Sequence, residues 1–181
     1  MRRAKDIYDD YFRADKGTRF DYLYDHYSNR AGVLNAQKHG LIYLVECSKM
    51  RTDWKEYCKD YNSTNRNETI ARIEKCMERG EAFDFEEEGF VLPQGFMEMY
   101  KNYCLMKVEF QIFSETLQSI GGEDEELLRR YIKDEISLWD IAEERHTAYE
   151  TAKGKVRDLK KMLKERTIGF FTDEIADGVI S

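Results

Sequence analysis

Proline is almost missing from this chain: Pro93 is alone among 181 residues. A fold built from many short strands and tight turns would use proline repeatedly, so its scarcity excludes a turn-rich β architecture and favours helices. Long apolar runs are missing too. No segment nears the roughly 18 consecutive apolar residues that a membrane-spanning helix requires, so no membrane partner is expected. The stretch "MRRAKDIYDD" follows its two arginines with acidic residues rather than an apolar segment, and no secretory signal is expected. The four cysteines, Cys47, Cys58, Cys76 and Cys104, never form CxxC. They read as reduced thiols of a cytoplasmic protein rather than as disulfides or zinc ligands.

Catalytic signatures are equally scarce. His26, His39 and His146 lack His-x-x-x-His or His-Glu-x-x-His spacing. The acidic triplet at 86–88 consists of neighbours whose carboxylates do not converge. Gly-rich phosphate loops and nucleophile elbows are absent. The expectation is a protein without metal, cofactor or enzymatic activity.

What the chain does have is core and charge: 41% of residues are hydrophobic, 13% aromatic and 36% charged. That supports one medium domain or a helical body with a small appended module. Apolar spacing predicts an all-α fold. Helices are expected at Lys5–Arg13, from a Thr18 cap through Arg30, at Val33–Lys49, after a Thr52 cap, and from an Asn67 cap to Gly80. Residues 81–95 alternate apolar and acidic residues around Gly89, a pattern open to either a short strand or a lid-like loop. Phe96–Ile120 predicts a central core helix built on Phe96, Met99, Tyr103, Met106, Phe110, Phe113 and Leu117, ended by Gly121 and Gly122. The expected division is a helical body over 1–120, a module over 123–166 and a docking tail over 167–181.

The module carries the functional signal. "EDEELLRRYIKD" places Leu127, Leu128, Tyr131 and Ile132 on one side. Ser137 with Asp140 predicts a capping box opening "LWDIAEER", and Thr147 with Glu150 predicts another opening "AYETAKGKVRDLKKMLKER". Two capped helices across a short break is a helix-turn-helix layout. Ala148, Ala152, Val156, Leu159 and Leu163 recur every three or four residues and are expected to face inward. Tyr149, Lys153, Arg157 and Lys160 then face outward. Eight basic residues between Arg145 and Arg166, against Glu150, Asp158 and Glu165, give a local charge of +5 in a chain at -7. Such segregation suits a phosphate-facing surface.

The stretch "EELLRRYIKDEISLWDIAEERHTAYETAKGKVRDLKKML" resembles the helix-turn-helix of sigma-factor region four and of phage transcription regulators built on it. Paired leucines and an aromatic in the first helix, the serine cap and "DIAEE" in the second carry the resemblance, over about 40 residues. It differs at Arg145, where leucine is usual, at His146, where glycine is common in the turn, and at Ala148, where serine often caps. The resemblance implies a double-stranded DNA-binding protein of phage or mobile-element origin, a transcription regulator. It also implies that the third helix enters the major groove, with Tyr149, Glu150, Lys153 and Arg157 proximal to bases. Arg145, His146, Lys155, Lys160, Lys161 and Lys164 would then contact phosphate.

A second reading comes from the N-terminal stretch, where Asp6, Asp9, Asp10, Asp21 and Asp25 interleave with aromatic residues. Such a face suits docking on a basic protein groove, as a phage-encoded inhibitor of a host defence nuclease (an anti-CRISPR protein) would use. Host RNA polymerase is the alternative protein partner. The apolar tail "TIGFFTDEIADGVIS" is expected to dock on the body or on a second copy, making a homodimer that reads two half-sites.

Overall fold

The computed structural model describes residues 11–49 and 63–171. Among them the fold is all-helical, without strands: a 3₁₀ turn at Tyr11–Arg13 and seven α-helices. These are α1 (Lys16–Asp25), α2 (Tyr27–Lys49), α3 (Ser63–Arg79), α4 (Phe96–Ile120), α5 (Gly122–Ile132), α6 (Leu138–Glu144) and α7 (Tyr149–Phe170). None of the described helices is long and apolar enough to cross a membrane. The expected helix over Lys5–Arg13 falls mostly, and the one opened by Thr52 wholly, outside the described residues.

Two compact units divide the chain, and they cut it differently from the expected boundary near Gly121. One centres on Gly32–Val108; the other combines Ala14–Ala31 with Glu109–Thr172. Thus α1 and the end of α4 belong with α5–α7, because their apolar faces supply that unit's core.

In the first unit, α2 buries Leu34, Leu41, Ile42 and Val45, α3 buries Ile73 and Met77, and α4 buries Tyr100, Tyr103 and Cys104. Met99, expected in the α4 stripe, is 44% exposed, because it lies outside the arc that Phe96, Tyr100 and Tyr103 share. Residues 81–95 form turns and irregular chain rather than a strand. Their aromatics turn inward, with the Phe85 ring 5.2 Å from both Phe96 and Tyr100 in edge-on geometry, an arrangement the ring quadrupole favours. Gly80 closes α3 as expected. Its φ of +68° and the 2.7 Å between an added Cβ and a Val108 methyl both require glycine. The start of α3 differs: the helix begins at Ser63, so Asn67 lies inside it and is not its cap.

In the second unit, Asp15 caps α1, accepting from the Thr18 backbone N–H at 2.9 Å and from its hydroxyl at 2.7 Å. Thr18 is therefore a donor within the first turn, not the cap. Those bonds, the hydroxyl's first, hold the Asp15 carboxyl below its usual range. The helix stops at Asp25 and α2 begins at Tyr27, so the expected run through Arg30 is two helices. Phe20, Leu23, Phe113, Leu117, Leu128, Val156, Leu159 and Leu163 are all buried. Arg19 and Glu109 are buried with them as an ion pair at 2.7 Å.

Candidate nucleic-acid interface

Helices α5, α6 and α7 follow one another with short breaks, and α7 packs against α1, α5 and α6. Each break is built by local hydrogen bonding. After α5, Asp134 adopts φ 58°, its N–H reaches the Tyr131 carbonyl at 3.1 Å, and the Glu135 N–H reaches Arg130 at 2.9 Å. After α6, His146 adopts φ 52°, its N–H reaches Glu143 at 3.1 Å, and the Thr147 N–H reaches Ala142 at 2.9 Å. Both are Schellman closures with a non-glycine residue in the left-handed position. At the start of α6 the Ser137–Asp140 capping box forms in both directions, and Ser137 holds the Asp140 carboxyl below its usual range. The box expected at Thr147 and Glu150 does not form. Ala148 is the N-cap of α7, with no side-chain bond, because Thr147 is engaged in closing α6.

On α7 the inward stripe is Ala152, Val156, Leu159, Leu163 and Thr167, whereas Ala148 is exposed because it precedes the first turn. The basic residues divide by helix edge. Along the edge facing α1, Lys164 donates to Asp21 at 2.8 Å and Lys160 lies 3.9 Å from the same carboxylate. The Lys160 ammonium also sits 4.2 Å from the centre of the Tyr24 ring, a cation–π contact. Along the edge facing α5, Lys155 donates to Asp124 at 2.8 Å. Arg145, before α7, stands 4.0 Å from Glu123. His146 is exposed in the turn.

The solvent face carries Lys153, Arg157 and Lys161, one per four residues, so their attachment points span about 12 Å of helix. Lys153 stands 3.9 Å from Glu150 and Arg157 3.3 Å from Asp158, all with exposed side chains. Such pairs dissociate at little cost. Lys161 and Arg166 are exposed and have no acidic partner among the described residues. The α7 charge is thus half internal and half available. Three of the six residues assigned to phosphate, Lys155, Lys160 and Lys164, are held by the protein's own carboxylates.

Tyr149 does not stand free: its ring packs against Trp139 at a centroid distance of 4.5 Å, the two planes tilted by 35°. Trp139, 69% exposed on the outer side of α6, was not singled out by sequence. The signal available was a tryptophan next to the Ile141–Ala142 inward pair yet off its face. Of the acidic-aromatic stretch, Asp21 is committed to lysines and Asp25 is exposed; Asp6, Asp9 and Asp10 lie outside the described residues. Helix α7 extends into the expected tail as far as Phe170, and Phe171 is buried; the rest of that tail lies outside the described residues.

No family model, curated protein or solved structure matches the chain.

Proposed function

We propose that α5, α6 and α7 form a helix-turn-helix resembling that of sigma-factor region four, and that the protein binds double-stranded DNA through α7 as a transcription regulator. The observation that carries this reading is His146. It occupies the turn position where glycine is common in such modules, and it holds the left-handed conformation (φ 52°) that glycine would supply. The Schellman closure around it ends α6 and lets α7 start at a new angle.

The exposed face of α7 supports the same reading. Lys153 and Arg157, with Tyr149 and Glu150, lie in the half of α7 that enters the groove in this geometry. In this reading Arg145, His146 and Lys161 contact phosphate. Lys155, Lys160 and Lys164 instead fasten α7 to α5 and α1 and set its presentation.

Fluorescence anisotropy with duplexes of defined and random sequence, at several salt concentrations, tests this. Arg157→Ala is expected to cost about 1–3 kcal/mol on the preferred site and to relax preference at one base pair. Lys161→Ala is expected to weaken all duplexes alike and shallow the salt slope by about one. Duplex binding that is absent, or unaltered by both substitutions, would overturn the reading.

A further inference from the structure

The second unit holds a groove of about 620 Å³ formed by the end of α1, the α5–α6 turn, α6 and the first residue of α7. That volume lies in the range of small-molecule and side-chain pockets, about 300–1,000 Å³. Its lining is one-sided in charge. Asp25, Asp134, Glu135 and Asp140 contribute carboxylates, and no lysine, arginine or histidine is among the lining residues; the Lys160 ammonium, against the Tyr24 ring, is paired with Asp21. Asp140 is engaged by Ser137 in the α6 cap, which leaves Asp25, Asp134 and Glu135, all exposed, as the available acceptors.

Two further features separate this groove from an ordinary solvated acidic patch. The tilted Trp139–Tyr149 ring pair lies in its lining, offering a broad aromatic surface with Trp139 largely open to solvent. Tyr24 also lines it, only 8% exposed, and its buried hydroxyl has no hydrogen-bond partner. Buried polar atoms are normally satisfied, and this phenol in the groove's wall is an exception.

We propose that this groove is a docking site for an arginine side chain within a basic segment of a partner protein. A guanidinium is planar and weakly hydrated, stacks on indole and phenol faces, and donates in a fork that matches carboxylates. The groove supplies both an aromatic plane and carboxylates around it. Nucleic acid is the wrong occupant, because three uncommitted carboxylates repel phosphate. The site stands apart from the duplex reading: the two share only Tyr149, and neither requires the other.

The test is anisotropy of fluorescein-labelled hexa-arginine titrated with the full chain at near-physiological salt. Saturable binding is expected, with no binding of the uncharged hexa-citrulline peptide. Asp134→Asn combined with Glu135→Gln is expected to weaken binding by about tenfold. Trp139→Ala, which removes the indole and no charge, is expected to weaken it as well. Glu86→Gln with Glu87→Gln, which removes the same charge from the other unit, is expected to leave it unchanged. Circular dichroism establishes that each variant is folded. Equal weakening by the two charge-matched pairs, an unaltered Trp139→Ala titration, or the absence of saturation would each overturn the site.

Discussion

Lys164, in the last third of α7, donates to a carboxylate oxygen of Asp21, in the middle of α1, at 2.8 Å. Lys160, one turn earlier, shares that carboxylate at 3.9 Å. One aspartate thus neutralises part of a charge cluster that, counted along the sequence, looks wholly available to a ligand.

Asp21→Asn separates the structural and binding uses of these lysines. The ion pairs are only half-buried, so stability is expected to fall by less than about 1 kcal/mol in a urea titration. Freed lysines would reach phosphate if α7 lies against a duplex. Random-duplex affinity is then expected to rise, and the slope of log K against log salt to steepen by about one to two. A slope equal to wild type would place both lysines beyond reach of the backbone.

The Arg19–Glu109 pair calls for the opposite expectation. Both side chains are buried, and the guanidinium meets both carboxylate oxygens, at 2.7 and 3.2 Å. Arg19→Met removes the guanidinium from a buried carboxylate and is expected to cost about 3–5 kcal/mol. Adding Glu109→Leu should recover most of that loss, since replacing both partners by apolar groups removes the desolvation problem. Urea unfolding of the two single variants and the double variant gives the coupling directly.

What was legible in the sequence was local. The span Phe96–Ile120 is legible because Gly121 and Gly122 end an unbroken helical pattern, and the Ser137–Asp140 box because its two partners are three residues apart. The false box at Thr147 has the same spacing. What removes it is a backbone bond from Thr147 back to Ala142, which a side-chain pattern does not encode. The pairing of the α7 lysines is not legible for another reason: Asp21 is 143 residues from Lys164, and no periodicity links them. The role of Trp139 is not legible because it depends on Tyr149, on the next helix, rather than on its own neighbours.

Cys104 offers a check on the core of the first unit. Burial, the largest influence, pushes its thiol up to about 12, and the side chain has no solvent exposure. Only the thiolate reacts with alkylating agents. At pH 8 and in native buffer Cys104 is expected to resist iodoacetamide while the less buried Cys47 labels, and to label only on adding denaturant. Peptide mass mapping before and after unfolding reads this out. Native labelling of Cys104 at the Cys47 rate would show that α4 does not pack as described.

His146 gives the most direct test of the turn. A left-handed conformation costs an ordinary L-residue roughly 1–2 kcal/mol, and glycine adopts it freely at some cost in unfolded-state entropy. His146→Gly is therefore expected to raise stability by about 0.5–1 kcal/mol, read as a higher urea midpoint with unchanged slope. Asp134→Gly should gain less, because aspartate already tolerates the left-handed region. His146→Val should lose, since a β-branched side chain is a genuine outlier at positive φ. That order depends on the backbone alone, so it holds whatever α7 binds. A His146→Val variant as stable as wild type would mean that α6 and α7 are not joined by this turn.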